Sequence, residues 1–440
     1  MFMTNFPQEL VDHVIDQLYD DAPSLKSCAR VCRAWLPASR FHLFAKVSLK
    51  AASMHGPASF PSACCKRLLS AIEHTPEIAS CIRELEVCEG SSFHFNNPTV
   101  PATTWATTDP CLLALFKRLK NLRRLDFSAT STLYWKTLPP AFQNAFCSLL
   151  AHSPSLTYLR LHSWCLPSFT SLALLLSHCK KLKGFSLSST TVNDDDGIEE
   201  QQHGRLRCVI EEVEGSDQCS DSIVHSANVN LEVLTLDFVS FGYLGASGWL
   251  FNEPSESSCS NVMDVSRLRE LRVAHFPDIS IVERLLVSVG PALEHLHLKP
   301  GCWNVQPFNL SSTTGLRSLR LTLEEVDTAM DWVTTFISSI IQASSSASGV
   351  LERIGLEFYI DVRKLDGWKE LDALLSQPEL VALRHIDIGL FASPSNPDFV
   401  RVDKQFRVRE RGVDVRLYQL GLRSQKSHRQ LTPRISRYEG

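Results

Sequence analysis

The sequence predicts an α/β fold in two parts, a short helical segment followed by a long array of alternating strands and helices. Three observations support this prediction. The first 50 residues place apolar residues at helical spacing, one short strand pattern returns ten times after residue 80, and helix-like segments separate many of its copies. The chain has 440 residues, 44% of them hydrophobic and 21% charged, with a net charge of −4, which is typical of a soluble globular protein.

The first predicted helix begins near Pro7. Proline suits the first turn of a helix because its missing N–H would have no intrahelical partner there. Glu9 follows in the same turn, where a negative charge interacts favourably with the helix dipole. The helix carries two apolar stripes, one of Leu10, Val14 and Leu18 and one of Val11, Ile15 and Tyr19.

A second helix is predicted from Leu25, with Ser24 as its N-cap, after the break at residues 20–23. It places Leu25, Cys28 and Cys32 on one face, with Val31 and Trp35 beside it. A segment of about 40 residues cannot bury two apolar stripes by itself. One stripe must therefore meet either the rest of this chain or another protein.

This N-terminal segment resembles an F-box, the module with which substrate receptors dock onto the SKP-type adaptor of cullin–RING ubiquitin ligases. The resemblance covers residues 6–44, about a tenth of the chain, and includes a Val-Cys-Arg-x-Trp element at residues 31–35. Most F-boxes begin Leu-Pro, whereas this chain has Phe-Pro. The resemblance implies that seven residues contact the adaptor or support that contact: Phe6, Pro7, Leu10, Ile15, Leu25, Val31 and Trp35.

From residue 80 onward the recurring pattern is one apolar residue, two variable residues, a second apolar residue, one variable residue and a third apolar residue. This is the strand half of a leucine-rich repeat, whose usual period is about 20–29 residues. The second and third apolar residues share one face of the strand, and stacked units bury that face together. An unrelated α/β fold with leucine-rich strands is the alternative. The copies begin at Ile82, Leu122, Leu156, Leu182, Leu231, Leu268, Leu293, Leu316, Leu351 and Leu383.

These patterns predict an irregular leucine-rich-repeat-like solenoid, with parallel strands on its concave side and helices on its convex side. The predicted helices are Pro140–His152, Phe169–His178, Ile281–Val289, Ala329–Ile341 and Trp368–Ser376. A closing helix over Phe399–Arg411, a stop at Gly412 and a last strand over Val413–Leu417 are predicted to cap the array. The predicted segments are the F-box (1–48), a helical linker (49–79), the array (80–391) with an acidic insertion (193–221) and a Ser-rich loop (252–261), the cap (392–422) and a basic flexible tail (423–440).

The sequence carries no catalytic motif. It has no phosphate-binding loop, no Gly-rich dinucleotide fingerprint after a strand and no His-Glu-x-x-His. Its 14 cysteines include no Cys-x-x-Cys, so we interpret them as reduced, buried side chains rather than disulfides or zinc ligands. We therefore expect no enzymatic activity, no cofactor and no metal. A hydrolase on a leucine-rich α/β scaffold is an alternative that no residue set supports.

The sequence also predicts where the protein is found and which partners it lacks. The longest apolar run, at Leu172–Leu176, is too short to span a bilayer, and the N-terminus lacks the pattern of a signal peptide. We expect a cytoplasmic or nuclear protein, or one in both places, with no membrane partner. The basic tail has almost no aromatic residues, which argues against nucleic-acid binding.

Residues between the apolar strand positions are predicted to point away from the core and form an interaction surface. Arg160, Arg272 and Arg320 would form a basic row there, flanked by histidines. Arginine and tyrosine are favoured anchors at protein interfaces, and a basic surface prefers an acidic or phosphorylated segment. The candidate client-binding residues are Tyr158, Arg160, Arg272, His297 and Arg320.

Together these features predict a protein similar to the large fungal F-box families. Such a chain would dock on the SKP-type adaptor, through it join a cullin and a RING-box protein, and recruit a still unknown protein client for ubiquitination. The leading alternative is an interaction scaffold of the same architecture whose adaptor contact serves assembly or localisation instead of degradation.

Overall fold

The computed structural model is a mixed α/β protein built from parallel strands and helices. It contains two compact units, residues 1–293 and 294–440. The structure describes residues 7–50, 61–89, 105–193, 229–241, 263–276, 279–300, 309–324, 329–344, 349–359, 367–390 and 412–420.

Unit 1 begins with three helices, which we call the helical trio: α1 (Gln8–Asp16), α2 (Ala22–Cys28) and α3 (Leu36–Ala45). The first helix begins beside Pro7 as predicted, although Pro7 is the N-cap that precedes α1 and does not lie in its first turn. The cap predicted for the second helix is wrong. Asp21 caps α2 by accepting hydrogen bonds from the Ser24 N–H at 3.2 Å and the Ser24 hydroxyl at 2.5 Å, so the helix begins three residues before Leu25.

The trio has a small core of its own. Val11, Ile15 and Leu25 are buried, and the partly buried Leu18, Trp35, Ala38 and Leu43 pack against them. The trio thus buries Val11 and Ile15 and partly buries Leu18, but it leaves Leu10, Val14 and Tyr19 of the two predicted apolar stripes exposed.

The trio continues without a loop into the first strand, β1 (Lys46–Lys50). This strand was not predicted from the sequence, and the predicted F-box boundary at residue 48 falls inside it. The predicted helical linker contains α4 (Pro61–His74) and most of α5 (Glu77–Cys81). The parallel sheet therefore begins within the segment assigned to the F-box.

Unit 1 holds a parallel sheet whose main strands follow their order in the chain, with further short strands beside it or apart from it. After β1, the strands are β2 (Glu84–Glu89), β3 (Arg124–Tyr134), β4 (Tyr158–Leu166), β5 (Gly184–Ser188), β6 (Thr191–Val192), β7 (Val229–Asn230), β8 (Val233–Asp237), β9 (Ser240–Phe241), β10 (Met263–Asp264) and β11 (Glu270–Ala274). The main ladder is β1-β2-β3-β4-β5-β8-β11; β6 pairs with β4 and β9, and β7 pairs with β10. The remaining α-helices are α6 (Trp105–Thr108), α7 (Pro110–Arg118), α8 (Pro140–Ala151), α9 (Phe169–Ser177) and α10 (Ile279–Val289).

Unit 2 repeats this architecture with five parallel strands in chain order. They are β12 (His295–Lys299), β13 (Ser318–Glu324), β14 (Arg353–Tyr359), β15 (His385–Leu390) and β16 (Asp414–Gln419), with helices α11 (Ala329–Ser344) and α12 (Trp368–Leu375). The last strand confirms the prediction over Val413–Leu417. The five helices predicted inside the array are also present, each with ends within one turn of the prediction.

The strand register aligns the repeats. In unit 1, Leu85 pairs with Leu125, which pairs with Leu159, and the same alignment continues to β11. Every apolar position of the ten copies is at most 5% exposed. Helices cover this apolar face, since the Phe127 ring lies 5.7 Å from Phe142 of α8 and Phe358 lies 5.5 Å from Trp368 of α12.

Four successive repeats of unit 1 share a left-handed residue just after the main ladder. Ser163, Ser189, Phe238 and His275 have φ between 48° and 60°. The next residue in each case is buried: Trp164, Thr190, Val239 and Phe276. Leucine-rich repeats place Asn or Cys at that position. Here the residue after the left-handed turn is buried in the core, and it is apolar in three of the four repeats.

Several predictions lie outside the described residues. These are Phe6, nearly all of the acidic insertion, the Ser-rich loop, the closing helix over Phe399–Arg411 and the basic tail. Within the described part of the chain, no helix is long and apolar enough to cross a bilayer.

Candidate protein-interaction surfaces

The helical trio exposes large apolar side chains. Leu10 and Val14, one turn apart on α1, are 50% and 52% exposed, and Val31 in the α2–α3 connection is 61% exposed. The Gln8 side-chain amide donates a hydrogen bond to the Ala34 carbonyl at 3.0 Å, which ties that connection to α1. We call Leu10, Val14 and Val31 the apolar helical patch.

The structure divides the predicted adaptor-binding residues into two groups. Pro7, Leu10 and Val31 are exposed, so they are available for direct contact. Ile15 and Leu25 are 0% and 1% exposed and form the trio's core, against which Trp35 packs. These three side chains hold the helices together. Val14 was not among the predicted site residues, although it lies in the same apolar stripe as Leu10.

Several contacts hold the trio together and fix it to the first repeat of unit 1. The His42 Nε2 and Asp16 Oδ1 atoms are 2.7 Å apart and join α3 to α1. The Arg83 guanidinium lies 5.6 Å from the centre of the Phe41 ring, and the Arg83 N–H donates to the Ala45 carbonyl at 2.9 Å. The apolar helical patch is therefore held in a defined place beside the sheet.

The second candidate surface is the side of each sheet opposite its apolar core, which we call the polar strand face. In unit 1 this face carries equal numbers of basic and acidic side chains at the register positions of the main ladder, so histidines aside it is neutral. The residues are Lys46, Lys50, Arg124, Arg160 and Arg272, and Glu84, Glu86, Asp126, Asp237 and Glu270.

Asp126 lies on β3 of the unit 1 face, between two arginines. Its Oδ2 atom lies 3.4 Å from Arg160 and 3.8 Å from Arg124. Burial raises the pKa of Asp126 despite both arginines, because the charged carboxylate loses water. The Arg124 guanidinium also stacks 4.0 Å from the centre of the Tyr158 ring. Arg160 is thus committed to a contact within the chain.

Tyr158 lies across the neighbouring strand. A Cβ atom at Gly184 would come within 2.5 Å of the Tyr158 ring, so only glycine leaves room for the ring there. Farther along the sheet, the Arg272 Nε atom lies 2.5 Å from the Glu270 carboxylate. The predicted basic row consequently has an acidic partner beside each of its unit 1 arginines.

In unit 2, three side chains donate hydrogen bonds to Glu357, and a fourth, His297, contacts one of the three. Arg320 donates to Glu357 Oε1, and the Tyr418 hydroxyl donates to the same oxygen at 3.0 Å. The Thr322 hydroxyl donates to Oε2 at 2.9 Å, and Thr322 Oγ1 lies 3.1 Å from His297 Nε2. One carboxylate thus links side chains from β12, β13, β14 and β16.

The environment of Glu357 favours its charged form. Burial alone would raise the pKa of this carboxyl, but Arg320, Thr322 and Tyr418 together lower it below its usual range. Burial and the adjacent Glu357 charge raise the pKa of Tyr418, so that hydroxyl stays a donor. The Glu357 carboxylate is therefore a buried anion that accepts hydrogen bonds from one cationic side chain, Arg320, and two neutral hydroxyls.

Two glycines make room for this cluster. A Cβ atom at Gly389 would lie 2.9 Å from the Tyr418 ring, and one at Gly355 would lie 3.3 Å from Arg320 Cγ. Glu357 and Tyr418 were not among the residues predicted from the sequence. Their only signal was an alternating position within a strand, which does not show what a side chain contacts.

Among the described residues, no group of three or more His, Cys, Asp or Glu side chains is arranged to hold a metal ion. The ten described cysteines that the structure places are free thiols, and burial raises the pKa of Cys65 and Cys179 to about 12.

Comparisons with known proteins give little beyond this geometry. No family model and no curated protein matches the chain. A crystal structure of a TLR13–ssRNA13 complex is similar over 70% of this chain and 42% of that chain, with 14% identity and a TM-score of 0.22. The chain thus spans less than half the length of that protein. A likeness this weak does not establish a shared fold. The evidence for a repeat-like architecture is the strand register of this chain.

Proposed function

We propose that this chain is the substrate-recognition subunit of an SCF-type ubiquitin ligase. In this proposal the helical trio is an F-box that docks on the SKP-type adaptor, and the polar strand faces recruit a protein client. The adaptor connects the chain to the cullin and the RING-box protein. Ubiquitin transfer belongs to those partners, so the chain itself is a non-catalytic receptor.

The observation that carries the proposal is the apolar helical patch. Leu10, Val14 and Val31 are half or more exposed on a trio whose own core is small. Burying one large apolar side chain contributes about 1.5–3 kcal/mol, so a partner that covers all three gains substantial free energy. The resemblance of residues 6–44 to an F-box supplies the identity of that partner.

The test is co-purification of the full chain with the SKP-type adaptor. We expect wild type to bind and the Leu10→Asp, Val31→Asp double variant to lose binding, because each substitution places a charge in the apolar interface. Both positions are exposed, so the fold should be retained, and thermal unfolding of the variant checks this.

The matched control is Gln17→Asp with Lys26→Asp, which adds the same residue type at two exposed polar positions of the trio. This variant should bind like wild type. An absence of wild-type binding would remove the ligase proposal. Full binding by the Leu10→Asp, Val31→Asp variant would move the adaptor contact elsewhere.

The scaffold alternative has a separate test. A complex reconstituted with adaptor, cullin and RING-box protein should transfer ubiquitin to a bound client if the chain is a degradative receptor. A scaffold would bind the adaptor and the client without that transfer.

A further inference from the structure

The arginines of the two polar strand faces differ in exposure. In unit 1, the side chains of Arg124, Arg160 and Arg272 are 24%, 23% and 39% exposed; the first two face Asp126 and the third pairs with Glu270. In unit 2, the side chains of Arg320 and Arg416 are 54% and 69% exposed. A guanidinium has five N–H donors. An exposed arginine with one ion pair therefore keeps donors that a partner can use.

Arg320 is also fixed in position. Its partner Glu357 has a side chain only 8% exposed, and that carboxylate is itself held by Thr322 and Tyr418. The stem of Arg320 lies against Gly355. A side chain ordered before binding loses less conformational entropy when the partner arrives.

Arg320 and Arg416 lie in one row of the sheet. The register pairs Arg320 with Gly355, Gly355 with Asp387 and Asp387 with Arg416. Three strand steps separate the arginines, which is roughly 14 Å. In an extended peptide, residues four apart are also separated by about 14 Å and point to the same side.

We propose that the polar strand face of unit 2 binds an extended acidic segment laid across the strands, with one carboxylate on Arg320 and a second, four residues away, on Arg416. This inference rests on the proposed function only in taking the ligand to be part of a protein client. It assigns Arg416 a recognition role, and it makes Glu357 and Tyr418 positioning residues for Arg320.

Charge balance favours carboxylates over phosphates. The described strands of unit 2 carry as many acidic as basic side chains on this face; Glu357 pairs with Arg320, and Asp387 lies opposite Arg416 in the register. A phosphate group has a charge of about −1.5 to −2 at neutral pH, so those acids repel it more strongly than a singly charged carboxylate. The basic and acidic residues are Lys299, Arg320, Arg353 and Arg416, and Glu324, Glu357, Asp387 and Asp414.

A positioning role for Glu357 can be separated from a purely electrostatic one. If only net charge mattered, Glu357→Gln would strengthen the binding of an acidic peptide because it removes a negative charge. If Glu357 positions Arg320, the same substitution weakens binding. The two roles predict opposite signs.

The experiment measures fluorescence anisotropy of a labelled peptide, Ser-Glu-Val-Thr-Val-Glu-Ser, with the purified full chain at low salt. We expect Arg320→Ala and Arg416→Ala each to lower affinity about tenfold, since charge-assisted hydrogen bonds are the stronger class. Glu357→Gln should lower affinity severalfold, and Tyr418→Phe, which removes only one donor to Glu357, should do so to a smaller extent. Thermal unfolding confirms that each variant is folded.

The matched control is Arg317→Ala. Its side chain is 53% exposed and lies 3.0 Å from Glu352, so it resembles Arg320 in exposure and pairing but lies outside the row. This variant should bind like wild type. A peptide with its glutamates only two residues apart, Ser-Val-Glu-Thr-Glu-Val-Ser, should bind more weakly than the first.

Four results would overturn the inference: no binding by wild type, equal binding by Arg320→Ala and Arg416→Ala, tighter binding by Glu357→Gln, or tighter binding of a peptide with phosphoserine in place of glutamate. None of these depends on the adaptor. Failure here is therefore distinguishable from failure of the co-purification that tests the proposed function.

Discussion

The helical trio exposes apolar side chains, whereas the polar strand faces expose charged side chains that already form ion pairs within the chain. Leu10, Val14 and Val31 of the trio are exposed apolar groups, and their burial against another protein would stabilise the complex. On the strand faces, arginines such as Arg160 and Arg320 already pair with carboxylates of the same chain. An acidic partner must share those arginines with carboxylates of the same chain, so the strand faces are suited to selecting a partner and the trio to holding one.

The largest loss of stability is expected for Leu25→Ala, which alters the core of the trio and leaves the residues of the exposed apolar helical patch unchanged. Leu25 is 1% exposed in the trio's small core, and Leu→Ala in a core costs about 2–5 kcal/mol. We expect the trio to unfold locally and adaptor binding to be lost with it. Hydrogen exchange across residues 8–45 measures this. Slow exchange in Leu25→Ala equal to wild type would show that the trio's stability comes from outside its core.

Glu89 differs from the paired carboxylates because it is buried without an ionic partner among the described residues. Its Oε2 atom accepts the Ala106 N–H at 2.8 Å, and burial raises its pKa from 4.5 to about 7. The folded chain then holds the proton more tightly than the unfolded chain, so stability falls as pH rises from 4.5 through 7. At one pKa unit per 1.36 kcal/mol, the loss is roughly 3 kcal/mol.

Glu89→Gln should therefore be more stable than wild type at pH 8 and should lose this pH dependence. Urea unfolding at pH 5 and pH 8 measures both effects. A wild-type stability that rises between these pH values, with the variant following the same curve, would contradict the assignment to Glu89.

A smaller effect is expected from Asp126→Ala on the unit 1 polar strand face. The substitution leaves Arg124 and Arg160 without their shared carboxylate, and we expect a loss of about 1–2 kcal/mol. Adaptor binding should be unchanged, because the trio is not altered. Thermal unfolding and adaptor co-purification, measured on the same sample, test both statements. Loss of adaptor binding by a folded Asp126→Ala variant would break the separation between the two surfaces.

The smallest effect concerns the left-handed residues after the strands. Ser189 has φ of 48° and is exposed. Glycine adopts this conformation without the cost of about 1–2 kcal/mol borne by other residues, although it loses more entropy on folding. Ser189→Gly should stabilise the chain by about 0.5 kcal/mol, seen as a higher Tm. Ser189→Ala, which keeps a Cβ atom, is the control and should not gain stability.

The sequence was sufficient to predict the strands and helices that repeat. Three apolar residues at fixed spacing mark each strand, and the structure buries all three in every copy. The helices predicted from Pro140 and Trp368 begin at those residues, since proline or a preceding glycine marks their first turns. Local spacing is enough here because each repeat buries its own apolar positions in the same way.

Other features depend on neighbours that are distant in sequence. Phe44, Val47 and Leu49 have the same three-residue spacing as the repeats, but β1 was missed because these residues lie in or next to the segment that resembles an F-box, and only Leu49 of the strand is buried. The carboxylate partners of Arg160 and Arg320 lie 34 and 37 residues away in sequence. Spacing identified these arginines as surface residues but did not indicate that Asp126 and Glu357 neutralise them.

The most direct test of the account is hydrogen–deuterium exchange of the full chain with and without the SKP-type adaptor. We predict that adaptor binding slows exchange in α1 and in the α2–α3 connection, where Leu10, Val14 and Val31 lie, and leaves exchange in β13 and β14 unchanged. Protection confined to the strands, or no protection in the trio of a chain that binds adaptor, would contradict the claim that the apolar helical patch is the docking surface.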